Sequence, residues 1–236
     1  MPNFDKKWEV FVRSFIDNEG YKRVLEGLQN TLLIALVGLV IGIAIGTLIA
    51  VVRVMPKYGV LPKILNGICS VYTEFFRGTP IVVQLLLGYY VLLPLLGVSM
   101  KPVGVCILIF GLNSGAYVSE IMRGGIGSVD PGQMEAGRAL GMSYWATMLK
   151  IVVPQAVKNI LPTLGNELIS LVKETSVVSF VGALDLSNAF RYIASNNYEF
   201  MIPYLVMAVI YILIVLVIAV FIRLMERRLK KSDRSN

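Results

Sequence analysis

The chain has 236 residues, of which 56% are hydrophobic and 16% are charged, and its mean hydropathy is +0.71. Soluble domains hold about 45–50% apolar and about 25% charged residues, so the composition excludes an ordinary soluble domain and indicates a membrane protein. The formal charge of +7 does not indicate nucleic-acid binding, because Lys and Arg gather in the cytoplasmic loops of membrane proteins. Histidine is absent, which excludes Ser-His, Cys-His and His-metal chemistry. Cys69 and Cys106 lie in apolar stretches and predict buried thiols, not a metal site or a disulfide framework.

Residues 1–27 form a charged N-terminal segment without an apolar core, so the sequence predicts no cleavable signal peptide. Apolar side chains recur there at helical spacing, one or two per turn: Trp8, Phe11, Val12, Phe15 and Ile16. Such a stripe, with charges opposite, predicts an amphipathic helix that lies on the membrane surface against lipid.

Long apolar stretches predict five transmembrane helices, with six as the alternative. Residues 31–52 contain no charged side chain and would be about 33 Å long as a helix, enough to cross a hydrocarbon core of about 30 Å. The other candidates are residues 78–100, 102–119, 159–184 and 200–222.

The stretch from Ile64 to Met100 is too long for one straight span, and Glu74, Arg77 and Pro80 interrupt it. It is either one tilted helix with a break near residues 77–80 or two separate elements. Proline removes a helix hydrogen bond and clashes with the preceding turn, so it favours a break.

Basic residues near the span ends predict the orientation, because Lys and Arg are enriched in cytoplasmic loops. One side of the membrane collects Arg53, Lys57, Lys63, Arg123, Arg138, Lys150, Lys158 and the basic tail of residues 225–236. With five spans, this places the N-terminus outside and the C-terminus in the cytoplasm. Five basic residues before Thr31 argue against that orientation. The basic tail is also suited to contact anionic lipid.

Gly38, Gly42 and Gly46 follow one another at every fourth position of the first predicted span. Small residues at this spacing let a second helix approach closely, so they predict a helix-packing face.

The segment DPGQMEAGRALGM, residues 130–142, resembles a capped soluble helix within a membrane protein. Asp130 is a good N-cap, Gln133 is placed for a variant of the capping box, and Gly141 suits the C′ position. A second short helix is predicted from Ser143 to Pro154. Because a helix of this length is marginal in water, the first must dock on the protein's own spans or on a cytoplasmic partner.

Residues 135–156, EAGRALGMSYWATMLKIVVPQA, resemble the EAA-loop signature of permease subunits of type I ABC importers. Three further stretches, residues 74–85, 113–126 and 164–182, are similar to the polar amino-acid permeases of that superfamily. The resemblance covers roughly residues 25–225. Gly137 departs from the pattern, because many relatives carry Ala there.

This resemblance implies an all-α type I importer fold, with a transmembrane domain over residues 28–224 and a coupling loop at about 124–157. It implies a dimer with a second copy or a paralogue, an ATP-binding subunit, and an extracytoplasmic amino-acid-binding protein, all at the cell membrane. ATP and Mg would belong to the ATPase, since the chain has no G-x-x-x-x-G-K-[ST] run, and no cofactor is expected in this chain. The residues expected to couple to the ATPase are Glu135, Ala136, Arg138, Ala139, Leu140 and Gly141.

Polar residues at membrane depth are candidates for the substrate pathway, because they are costly to place there. The predicted set is Glu74, Arg77, Thr79, Asn113, Ser114, Tyr117, Glu120, Asn166 and Glu167. Arg offers a planar fork for a substrate carboxylate, and Glu offers a counter-charge for its ammonium group. The alternative is pairing between helices or across a dimer interface. In that case Glu74 pairs with Arg77, and Glu120 pairs with Arg123, three residues away on the same helix face.

The sequence therefore predicts the permease subunit of an ATP-driven amino-acid importer, which is not itself an enzyme. A stand-alone secondary carrier or channel for small polar solutes is the alternative, but it gives no reason for the capped helix. A membrane-embedded enzyme is disfavoured by the absence of histidine, of a metal-type cluster and of a nucleophile elbow.

Overall fold

The structure, a computed structural model, describes residues 4–56 and 59–233 and contains no strand within them. Eleven α-helices follow one another along these residues: α1 Phe4–Val12, α2 Gly20–Val54, α3 Val60–Gly78, α4 Ile81–Leu87, α5 Leu93–Leu95, α6 Pro102–Gly127, α7 Pro131–Ala139, α8 Tyr144–Thr147, α9 Val153–Glu174, α10 Leu186–Asn197 and α11 Met201–Asp233. Short π-helical segments join α1 to the turn before α2, α4 to α5 and α8 to α9, and a 3₁₀ segment, Thr175–Val181, follows α9.

The centre of the fold is a close parallel contact between α2 and α6. A Cβ built on Gly42 would lie 2.5 Å from Ser114 Oγ, and one built on Gly46 would lie 2.7 Å from the Val118 Cβ. Gly38 faces α6 one turn earlier in the same direction. The three glycines therefore line the contact, and any side chain there would push the two backbones apart.

Most of the interior lies around this helix pair. The main apolar cluster joins α2 and α6 to α4, to the end of α9 and to the 3₁₀ segment, and its fully buried members include Ile34, Leu85, Phe110, Leu171 and Val178. A second cluster surrounds Phe190 of α10, and a third joins the end of α6 to α8 and α9.

Three helices of the described chain are long and apolar enough to cross a membrane: α2, α6 and residues Met201–Leu229 of α11. α3 together with residues Ile81–Leu95 forms a fourth candidate, bent by 106°, which is either a broken span or a re-entrant loop. α9 has the length but carries Glu167, Lys173 and Glu174 and is not among these candidates. The all-α membrane fold is confirmed, whereas the count of five spans stays a prediction.

The predicted break near residues 77–80 is confirmed. α3 ends at Gly78, Pro80 has an extended backbone, and α4 begins at Ile81. One predicted helix end is wrong. The helix capped by Ser143 does not stop at Pro154, because proline in the first turn of α9 sits where no helical N–H is needed, and the helix continues to Glu174.

The predicted N-terminal helix is present, but its apolar stripe does not all face outwards. α1 continues into the π-helical segment Arg13–Asp17, and the chain turns at the left-handed Glu19, beyond the stripe, before α2 begins. Phe11 is buried against the α10 cluster, whereas Trp8 and Ile16 remain exposed. Val12 and Phe15 are partly buried against the same cluster, so the prediction of one lipid-facing stripe is wrong for these two residues and for Phe11.

The two ends of the helical core are distinct. At one end, Lys7 of α1 forms an ion pair with Glu199 at the start of α11, with a distance of 2.9 Å between Nζ and Oε2. At the other end, Tyr144 beside α7 donates a hydrogen bond of 3.0 Å to the carbonyl of Val54, at the end of α2. Because α2 runs from the first end to the second, α1 and α7 lie at opposite ends.

Replacing Gly42 with Ala should lower the free energy of unfolding by about 1–3 kcal/mol, since it overpacks a filled contact. Gly67 is a matched control: it is exposed on α3, and an added Cβ there meets no atom within 4 Å. Gly67→Ala should be neutral or stabilising, because Ala is the better helix former. Denaturant unfolding in detergent, followed by far-ultraviolet circular dichroism, measures both variants. Equal stability of the two would contradict the close contact.

Candidate functional site

The capped helix α7 has the predicted start. Asp130 accepts a hydrogen bond of 2.8 Å from the backbone N–H of Gly132, which satisfies one of the free donors of the first turn. The predicted capping-box role of Gln133 is wrong: its side-chain oxygen accepts a hydrogen bond of 3.1 Å from Gln155 of α9 instead. Gln133 thus ties α7 to α9.

A Schellman motif ends α7, as expected for a glycine at C′. Gly141 has a φ of +80°, and its N–H donates to the Arg138 carbonyl at 3.0 Å. The N–H of Met142 donates to the Gly137 carbonyl at 3.1 Å. Both ends of α7 are therefore satisfied by the chain itself, so the helix can persist on the surface.

Two faces of α7 differ sharply in exposure. Gly137 is buried against Thr147 of α8, and Met134 packs on the cluster formed by α6, α8 and α9. Leu140 is 83% exposed. The residues expected to couple to an ATPase all lie on exposed positions: Glu135, Ala136, Arg138, Ala139, Leu140 and Gly141.

Two of the predicted pathway residues lie at the helix break between α3 and α4. The buried Gln84 donates hydrogen bonds to the Phe76 carbonyl at 2.9 Å and to the Thr79 hydroxyl at 2.9 Å. Asn113 of α6 donates to the Phe76 carbonyl at 3.2 Å and to the Gln84 side-chain oxygen at 3.0 Å. Gln84 and Asn113 therefore satisfy the Phe76 carbonyl that the break releases, and the Thr79 hydroxyl donates to the Phe75 carbonyl at 2.8 Å, as an interior without water requires.

Sequence reasoning missed Gln84 in this network. The available signal was an amide one turn after Pro80 in an otherwise apolar run, where only a hydrogen-bonding role justifies its burial.

Ser114 and Glu167 form a second polar group, in the middle of the core. The Ser114 hydroxyl is 3.1 Å from a Glu167 carboxylate oxygen and lies directly against Gly42. Glu167 is partly buried, and the neighbouring Asn166 is exposed. Glu74 is exposed on α3 and does not pair with Arg77 in the described chain, contrary to the alternative considered for it.

A third group, the arginine cluster, surrounds Glu120 of α6 and consists of Arg53, Arg77 and Arg123. Glu120 Oε1 contacts Arg53 of α2, and Oε2 lies 2.6 Å from Arg123. Arg77 of α3 approaches Oε1 to 4.0 Å, and its guanidinium lies 5.6 Å from the ring centroid of Tyr117. The predicted pair of Glu120 and Arg123 is thus part of a larger cluster that joins three helices.

An open cavity of about 500 Å³ lies beside the arginine cluster. Arg77, Tyr117 and Glu120 form one wall, and the other polar groups come from Ser128, Asn159 and Thr163. Asn159 and Thr163 belong to α9, and Ser128 directly follows α6. The structure therefore places seven of the nine predicted pathway residues in three groups and leaves Glu74 and Asn166 outside them.

Comparison with known proteins identifies the family of the chain. Residues 38–231 match the family model described as binding-protein-dependent transport system inner membrane component. The chain belongs to this family. The resemblance to permease subunits of type I ABC importers is thereby confirmed.

Relatives of the permease cover nearly its whole length. It is 38% identical over 210 residues to the arginine transport system permease protein ArtQ of Bacillus subtilis (strain 168), covering 89% of this chain and 94% of ArtQ. It is 35% identical over 208 residues to the glutamine transport system permease protein GlnP of Escherichia coli (strain K12), covering 88% and 93%. A crystal structure described as an amino acid ABC transporter with histidines matches with a TM-score of 0.81 and 38% identity, covering 88% of this chain and 94% of that one.

Gly137→Ala should destabilise the docking of α7 in this permease, although Ala is the better helix former, because the new methyl group would overlap Thr147 Cγ2. Adding Thr147→Ala removes the overlapping atoms and should restore stability in the double variant. Hydrogen exchange of the α7 amides measures the effect. If Gly137→Ala alone leaves exchange unchanged, the packing of α7 on α8 is not tight.

Proposed function

We propose that this chain is the permease subunit of an ATP-driven amino-acid importer and that α7 couples it to a separate ATP-binding subunit. The observation that carries the proposal is the exposed outer face of α7. This face combines Glu135, Arg138 and the fully capped end at Gly141 with an apolar Leu140 that is 83% exposed. Ala136, Ala139 and Leu140 are all exposed and lie on one side of the helix, since they are three and four residues apart. An exposed apolar patch rimmed by polar residues is typical of protein contact sites.

The permease itself is not an enzyme in this proposal. ATP and Mg²⁺ bind to the partner ATPase, since the sequence has no run that would cradle phosphates. An extracytoplasmic binding protein delivers the substrate, and a second permease copy or a paralogue completes a dimer in the cell membrane. If α7 faces the cytoplasm, the opposite positions of α1 and α7 support an N-terminus outside. The direction of α11, which starts beside α1, supports a C-terminus inside.

The substrate class in this proposal is a polar amino acid. Relatives are named for the transport of arginine and of glutamine, which share an α-amino acid group and differ in side-chain charge. Glu167 can supply a counter-charge to a substrate ammonium group, because it lies in the core with only one hydrogen-bonded partner, Ser114, in the described chain. The exposed Asn166 adds an amide on the same helix.

Coupling through α7 is tested with Glu135→Lys. The full transporter, reconstituted in liposomes with its ATPase and binding protein, should lose uptake while the ATPase still hydrolyses ATP, because the charge reversal disturbs the contact. Glu26→Lys makes the same charge change at an exposed site near the start of α2, at the end of the molecule opposite α7, and should leave uptake unchanged. A stand-alone carrier would transport without the ATPase, and full coupled uptake by Glu135→Lys would remove α7 from the mechanism.

Glu167→Gln should reduce uptake at least tenfold without loss of assembly, since losing an ionic partner within a protein interior costs about 1.4 kcal/mol or more. Glu26→Gln is the matched control for removal of one carboxylate. Initial uptake rates in liposomes, normalised to the amount of assembled complex, decide the question. Unchanged uptake in Glu167→Gln would exclude this side chain from the pathway.

A further inference from the structure

We propose that the cavity beside the arginine cluster binds the carboxylate of a small organic acid through Arg77, and that the amino acid occupies it while leaving the transporter. The inference rests on the proposed function for the identity of that acid. The anion site itself follows from the charge, geometry and position of the cluster.

The arginine cluster beside the cavity carries net positive charge. One carboxylate, Glu120, lies among three guanidinium groups, which leaves two positive charges. The carboxylate side chain is only 18% exposed, whereas the side chains of Arg77 and Arg123 are 45% and 52% exposed. A mobile anion that enters the cavity therefore meets net positive charge.

The Arg77 guanidinium has unused hydrogen-bond donors. Within the described residues its guanidinium makes no hydrogen bond, since Glu120 Oε1 lies 4.0 Å away and is already bound by Arg53. The Tyr117 ring centroid lies 5.6 Å from the guanidinium carbon, within the range of a cation–π contact. A guanidinium with unused donors presents parallel N–H groups at the spacing of carboxylate oxygens.

The opposite wall supplies neutral polar groups instead of a second anion. Asn159 donates a hydrogen bond of 2.8 Å to Ser128 Oγ, which uses one of its two amide hydrogens. Thr163 donates to the backbone carbonyl of Asn159 at 3.1 Å. With a volume of about 500 Å³, the cavity lies within the usual range of about 300–1,000 Å³ for small-molecule sites.

The site recognises the acid group and not the ammonium group. Both oxygens of Glu120, which is the carboxylate among the described residues of the cavity wall, already accept hydrogen bonds, Oε1 from Arg53 and Oε2 from Arg123. Because these two guanidinium groups already compensate its charge, Glu120 attracts an ammonium ion only weakly. Ser128 lies two residues before the N-cap of α7. The cavity is therefore at the coupling-helix end, where an imported solute leaves.

The test uses Gly124→Cys as a reporter in the full-length chain, in nanodiscs of phosphatidylcholine and with Cys69→Ser to remove the partly exposed native thiol. Gly124 lines the cavity and has open space for a side chain. Gly127→Cys is the matched control, because it also has open space but is not part of the cavity wall. The measured quantity is the rate of maleimide labelling.

N-Acetylglycine, which has a carboxylate and no ammonium group, should slow labelling of Gly124→Cys several-fold and leave Gly127→Cys unchanged. Glycinamide, which has an ammonium group and no carboxylate, should protect neither. Adding Arg77→Gln should abolish the protection, while an unchanged labelling rate of Gly127→Cys shows that the fold is retained.

Absence of protection, equal protection by both compounds, or protection that survives Arg77→Gln would each overturn the proposal, as would a thiol at position 124 that does not react at all. Nanodiscs with phosphatidylglycerol separate a second source of anions. If this lipid slows the labelling and N-acetylglycine does not, the site binds lipid headgroups and the proposal fails. These outcomes do not depend on ATP-driven uptake, so failure of the anion site and failure of the importer function are distinguishable.

Discussion

The contact between α2 and α6 determines where the polar groups of this protein can be. With no side chain at Gly42 or Gly46, the two backbones approach so closely that a Cβ would lie within 2.7 Å of α6 atoms. This approach brings Ser114 to the centre of the core and places Arg53 against Glu120 at the end of the same helix pair. In lipid the attraction between helices comes largely from packing and hydrogen bonds. Small residues allow the close approach that brings polar side chains of the two helices within hydrogen-bonding distance.

The interior satisfies the backbone carbonyl at the helix break and the charge of Glu120 in two different ways. At the break between α3 and α4, neutral amides of Gln84 and Asn113 satisfy the freed Phe76 carbonyl, which adds no charge to the core. At the α7 end, the charge of Glu120 is compensated in excess by three arginines, of which Arg77 lines the cavity. The first arrangement supports the shape of the protein, and the second leaves net positive charge beside the cavity.

α7 combines local and tertiary stabilisation. Its caps satisfy the backbone groups at both ends, and Gly137 lets it lie against Thr147 without a gap. A short helix held in this way keeps its outer face free for a partner. A glycine at position 137 by propensity alone would weaken the helix, and this tight packing explains its presence.

Local signals in the sequence were sufficient for the membrane class, the break near Pro80, the N-cap Asp130 and the αL Gly141, because each depends on composition or on residues within a few positions of one another. They were also sufficient for the family, whose motifs are contiguous. The helix end predicted at Pro154 was wrong, since proline in a first helical turn and proline that ends a helix look alike in sequence. Only the tertiary structure decided how the polar residues group. Arg53 and Glu120 are separated by 67 positions, and contacts at such distances depend on how the helices pack, which no periodicity encodes.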